Sequence, residues 1–252
     1  MQNPRMNDEP IPAEEEADPA APPGPKNTGF GWRIIVAIIV LAVVGILVYN
    51  QFARGQASSS SNTSTNISPL TQTQASAPEA SVQADPNSAQ AQFELGNSYV
   101  RTGQWVQAQA AFQKAIELDP NFQSAYANLG VVYYQLENLD LAASQYKKAL
   151  ELNPNDGDVA YNLGALYLQQ ALLSGDTPDP TLLDQAITQL RQAAELNPDL
   201  AEPYFSLGVA YHALNQKEQA IEAFETFLAR DTGEDPRAGQ EAQRYLEALR
   251  NQ

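Results

Sequence analysis

The sequence has no cysteine, a single histidine, His212, and few positive charges. Without cysteine there is neither a disulfide framework nor a thiolate centre, and the redox compartment stays open. One histidine cannot furnish a zinc site, and no Ser-His-Asp constellation can be assembled around more than that residue. From Asp85 onward 23 Asp and Glu face only 10 Lys and Arg, and the whole chain carries a formal charge of −16. Because phosphate contacts supply much of any affinity for nucleic acid, that balance argues against such a partner. The residues support no catalytic site and no cofactor, so the expectation is a chain without an activity of its own.

The amino-terminal third is organised by one apolar run. Residues 1–33 hold seven prolines and the acidic run Glu14-Glu15-Glu16 with few bulky apolar side chains, which reads as disorder. Ile34 to Ala53 is then uncharged over twenty residues and bounded by Arg33 and Arg54. At about 1.5 Å per residue such a helix spans about 30 Å, the thickness of a bilayer's hydrocarbon core. Trp32 and Tyr49 stand near its ends, where amphipathic rings favour the headgroups. A membrane-spanning helix over 34–53 is therefore expected, with the lipid bilayer as a partner. The long, acidic, proline-rich leader argues against a cleaved signal peptide. Lys26 and Arg33 on one side against Arg54 on the other lean toward a cytoplasmic amino terminus, by a margin of one charge. Residues 54–84, rich in Ser, Thr and Gln, read as a flexible linker.

The remainder is periodic. Asp85-Pro86-Asn87 returns as Asp119-Pro120-Asn121, Asn153-Pro154-Asn155 and Asn197-Pro198-Asp199. Between these phrases Leu95, Gly96, Tyr99, Ala108, Phe112 and Ala115 recur in register as Leu129, Gly130, Tyr133, Ala142, Tyr146 and Ala149. A third unit has Leu163, Gly164 and Tyr167, then ten extra residues, then Ala186, Leu190 and Ala193; a fourth has Leu207, Gly208, Tyr211, Ala220 and Phe224. A fixed period of this size marks stacked supersecondary units. The pattern resembles the tetratricopeptide repeat, which implies an all-α solenoid of helix-turn-helix units over 85–234, at about 89–122, 123–156, 157–200 and 201–234.

The acidic or amide residue of each turn is expected to mark the start of the next helix, with the proline stopping the one before. In the third unit the first helix should continue through Leu173, break over Ser174 to Pro178, and restart with Asp179 as cap and Pro180 in the first turn. Asp176, Asp179 and Asp184 lack the spacing of a calcium loop. Residues 235–252 predict a capping helix with Ala238, Ala242, Tyr245, Leu246 and Leu249 on its buried face.

The resemblance also implies a concave groove lined by the first helix of each unit. Its slots fall on Phe93, Asn97, Val100 and Arg101, on Asn128, Val131 and Tyr134, on Tyr161, Asn162, Ala165 and Leu168, and on Phe205, Val209 and His212. Asn128 and Asn162 occupy equivalent slots; each reads either as a donor and acceptor for a bound peptide backbone or as a solvated polar residue. Phe93, Asp158 and Asn162 stand where members that clamp a terminal carboxylate carry lysine and arginine, so that subtype is set aside. The expectation is a membrane-anchored scaffold holding an extended, neutral-to-basic segment of a partner protein. The alternative is a non-catalytic regulatory or substrate-presenting subunit of an envelope or secretion complex.

Overall fold

The computed structural model describes residues 76–233 and 236–251. The predicted disorder over 1–33, the span over 34–53 and most of the linker lie outside the described residues. Among the described residues no helix is long and apolar enough to cross a membrane.

Ten helices and no strand make up the described chain: α1 (Ser76–Ala84), α2 (Ala89–Arg101), α3 (Trp105–Leu118), α4 (Gln123–Gln135), α5 (Leu139–Leu152), α6 (Gly157–Leu173), α7 (Pro180–Leu196), α8 (Glu202–Ala213), α9 (Lys217–Arg230) and α10 (Pro236–Arg250). Each packs chiefly on its neighbours in sequence, and the short turns make successive helices antiparallel. The pairs α2/α3, α4/α5, α6/α7 and α8/α9 are the four units read from the sequence, and α10 packs on α9. The first helix was expected to be tether. Ser76–Ala84 is instead helical and rests on α2, with the Tyr99 hydroxyl donating to the Glu79 carboxylate at 3.2 Å. Glu79 in its first turn complements the helix dipole, and its three alanines favour the conformation.

The recurring glycine sets the distance between the two helices of a unit. A Cβ on Gly96, Gly130 or Gly208 would stand 2.5, 2.6 or 2.6 Å from a ring carbon of Phe112, Tyr146 or Phe224. Leu190 takes the aromatic's place in the third unit, and a Cβ on Gly164 would lie 2.8 Å from it. Any side chain there pushes the pair apart. Ala108, Ala142, Ala186 and Ala220, at the other close crossing, are wholly buried.

The Asp-Pro-Asn phrase acts at the end of a helix, not at the start expected for it. Asp119 and Asn153 are C-caps, and their side chains, like that of Asp85, turn over the proline to accept from the backbone N–H of Asn121, Asn155 and Asn87 at 2.9, 3.2 and 3.2 Å. An Asx turn of this kind competes with helix and so stops it. Side-chain caps at helix starts come from Ser88, Asp156 and Asp179. Inside the units the turn needs a left-handed residue, at Gly103, Glu137 and Asn215, with φ of 70°, 61° and 58°.

The ten extra residues of the third unit are shared out. Gln170 to Leu173 add a turn to α6, Pro180 to Leu182 add nearly a turn to α7, and the rest lengthen the connection, with Asp179 capping α7 as the sequence predicts. At the carboxyl end Ala238, Ala242, Tyr245, Leu246 and Leu249 are all buried, and the Tyr245 ring stacks on Phe224 at 4.7 Å.

Candidate interaction groove

The first helices α2, α4, α6 and α8 carry the predicted groove slots, but the surface they leave open is narrower than the repeat register implies. Phe93, Asn97, Val100, Asn128, Val131, Tyr134 and His212 are half-buried and Arg101 is exposed. Tyr161, Asn162, Ala165, Leu168, Phe205 and Val209 are buried, each less than a tenth exposed. Their expected role as a free contact surface is corrected on that ground. The cause is legible in α6, which carries no charged side chain after Asp158 and is closed off from Val159 to Gln169. A helix without a polar face is buried all round. Its groove-side residues join one continuous core with Phe205 and Val209, and Phe93, Val131 and Tyr134 pack on its edge.

The open part is built by α2 and α4. Phe93 meets Phe112 and Phe122 with ring centroids 5.7 and 4.8 Å apart, which fixes one apolar wall. Beside it Asn128 Nδ2 donates to Asn97 Oδ1 at 2.8 Å. The equivalence of Asn128 with Asn162 suggested a pair along the groove; the pair that forms is Asn128 with Asn97. Because each carboxamide has two donors and an acceptor, the bond leaves one amide's N–H group and the other's carbonyl available side by side. A donor next to an acceptor is the complement of a peptide group.

The next joint lacks that match. The slot held by Asn97 in the first unit is Val131 in the second, and the Oδ1 of Asn162 is buried without a hydrogen-bond partner. The Tyr134 and Tyr161 hydroxyls and Gln169 Oε1 are likewise buried and unpartnered, so Ser206, which lies beside the Tyr161 hydroxyl, does not complete a bond of good geometry. Burial pushes the Tyr134 hydroxyl up to about 12 and raises Tyr161 well above the ordinary phenol. His212 packs edge-on against Tyr245 with ring centroids 5.3 Å apart, and burial lowers its pKa from the usual imidazole range. Among the described residues no group of three His, Asp or Glu side chains converges as a metal site.

Sequence reasoning missed a second concavity. A cleft of about 800 Å³ lies beside α5 and α7, and its signal was present in the ten-residue insertion, whose added turns line it through Gln170 and Leu182.

Models described as tetratricopeptide repeat match residues 75–121 and 93–157, 145–179 and 201–232, and one described as TPR repeat matches 183–215. No curated protein matches the chain. Among solved structures it is similar to a crystal structure of MamA, at 24% identity and a TM-score of 0.56, covering 62% of this chain and 85% of that one. It is also similar to MamA from residue 41 to the end from Desulfovibrio magneticus RS-1, at 19% identity and 0.55, covering 64% and 85%. A structure of YrrB, described as a TPR protein with an unusual peptide-binding site, aligns at 22% identity and 0.54 over 82% of this chain and 92% of that one. At these identities the likeness is one of fold.

Proposed function

The chain belongs to the tetratricopeptide-repeat family, and from that premise we propose that it is a membrane-anchored interaction scaffold that holds an extended segment of a partner protein across α2 and α4. The observation that carries the reading is the Asn97–Asn128 pair on the open surface, with a free donor and acceptor flanked by Phe93, Val131 and Tyr134. An extended backbone can satisfy both groups while its side chains meet the apolar wall. The peptide site named for YrrB is consistent with a binding role for this architecture. A neutral-to-basic segment suits the groove because 23 acidic against 10 basic residues from Asp85 onward favour its encounter. Anchoring rests on the apolar run at 34–53, and the charge difference across it favours repeats outside the cytoplasm.

The test is titration of a partner crosslinked and purified from intact membranes. Replacing Asn97 and Asn128 by alanine together should weaken it by roughly 1–3 kcal/mol, the cost of unpaired polar groups at an interface. Unchanged affinity in this variant and in Tyr134→Ala would remove the groove's role. Protease added to spheroplasts should cut the linker; protection of the linker with loss of residues 1–33 would invert the topology.

A further inference from the structure

We propose that the cleft beside α5 and α7 is a second docking site, separate from the concave groove, for a short acidic and apolar segment of another protein. The insertion contributes Gln170 and Leu182 to the cleft's lining. Its floor is the apolar surface of Tyr126, Ala143 and Tyr167, and Leu182, in the added turn of α7, stands over it. Gln170, in the added turn of α6, closes one side by donating to Asp140 at 3.1 Å. The equivalent joints of the other units lack these turns. Here, therefore, the departure from the repeat period adds two walls to a concavity along α5.

The charges of the lining decide its occupant. Both of its carboxylates are engaged: Asp140 by Gln170, and Glu151 by Lys148 at 2.9 Å. Lys147 is exposed, and among the described residues no carboxylate pairs with it. Its slot is also used differently from those of its counterparts. Gln113 and Arg191, at the same register, donate to the hydroxyls of Tyr133 and Tyr211 at 3.0 and 2.8 Å. Lys147 lies over the ring of Tyr167, 5.5 Å from its centroid, as Arg191 lies over Tyr211 at 5.7 Å, but it makes no bond to the hydroxyl, so its ammonium donors are unspent. Lys148 can join it, because an exposed ion pair such as Lys148–Glu151 is readily exchanged. A carboxylate on the incoming segment would bridge the two lysines, while an adjacent leucine or aromatic covers Tyr126 and Leu182. The remainder of the surface is strongly acidic and repels such a segment, so these lysines select where it binds.

The experiment is selection of a random twelve-residue phage-displayed library on the full chain in detergent micelles. It is run in parallel on Lys147→Glu/Leu182→Asp and on Asn97→Ala/Asn128→Ala, with circular dichroism showing that each is folded. The wild type should enrich peptides with Asp or Glu next to an aliphatic or aromatic residue. Their affinity should fall at least tenfold in the lysine–leucine variant, stay within twofold in the asparagine variant, and weaken in Lys147→Glu alone less at 0.5 M than at 0.05 M NaCl. No enrichment, enrichment of neutral or basic peptides only, or equal binding to the lysine–leucine variant overturns the proposal. So does a concentration-dependent dimer of the wild type that Lys147→Glu dissociates, since the occupant is then a second copy of this chain. Loss of binding in the asparagine variant alone assigns the peptides to the concave groove, which also overturns it. Because the two variants touch different faces, failure here leaves the scaffold reading standing.

Discussion

Gly130→Ala adds one methyl group at the closest approach of α4 and α5, and two effects of similar size oppose each other there. Alanine in place of glycine inside a helix gains about 1 kcal/mol through the backbone. Against that, the new Cβ lies 2.6, 2.7 and 3.1 Å from Cε1, Cδ1 and Cζ of Tyr146, whereas carbon atoms sit comfortably at about 3.5–4.0 Å. The deficit is about 1 Å against two atoms of the ring and roughly half that against the third. Tyr146 is 1% exposed and cannot swing away, so the two helices must separate or the ring must leave its rotamer. Overpacking of this kind costs roughly 1–3 kcal/mol, and the depth of the clash argues for the upper part of that range. The net expectation is destabilisation by about 1–2 kcal/mol, a fall of roughly 3–6 °C in Tm for a domain of this size. A double-mutant cycle read by urea unfolding isolates the cause. In a Tyr146→Ala background the clash is absent, and the same substitution should turn stabilising by about 1 kcal/mol. Stabilisation by Gly130→Ala in the wild-type background would refute the close-approach account of the repeating glycine.

Two further outcomes follow from particular residues. Glu137 holds φ 61° in the slot that Gly103 fills in the first unit, so Glu137→Gly should raise stability by about 1 kcal/mol by relieving a left-handed side-chain conformation, measured by urea midpoint. His212 has a pKa lowered by burial, so the unfolded chain binds its proton first; stability should fall as pH drops below about 6.5 and level off below the folded pKa. Thermal melts from pH 7.5 to 5 should show this slope flattened in His212→Gln.

Much of the architecture could be read from spacing, because stacked units constrain the same slot again and again. Gly130 and Tyr146 could be paired on paper since Gly96 and Phe112 had already shown the relation, and Pro180 with Asp179 announced the restart of α7. Exposure was harder. Register says which way Tyr161, Leu168 or Phe205 points relative to its helix, but not how closely neighbouring units shut over it. The missing clue was the absence of charge along α6, an amphipathicity argument that the slot assignment bypassed. The Asn97–Asn128 bond escaped for a related reason: it joins unequal slots of adjacent units, and comparing equal slots cannot find it. Helix α1 was hidden by a Ser- and Gln-rich neighbourhood, although Glu79 and Tyr99 now tie it to the stack.

The last helix has a bearing on how such an array could be lengthened. Counting 34 residues on from Leu207, Gly208 and Tyr211 gives Glu241, Ala242 and Tyr245, so α10 is laid out as the opening half of a fifth unit with its leucine and glycine slots changed. The tyrosine keeps its place against the preceding pair, while the glycine has become alanine. A methyl group now stands where the other units leave room for a ring or a leucine, and Glu241 replaces the leucine beside it. A grafted second helix bearing an aromatic at the usual position would meet the same obstruction as Gly130→Ala. Extension by duplication at this end therefore requires Ala242→Gly to admit the ring, and Glu241→Leu to restore the core slot that Leu207 fills one unit earlier.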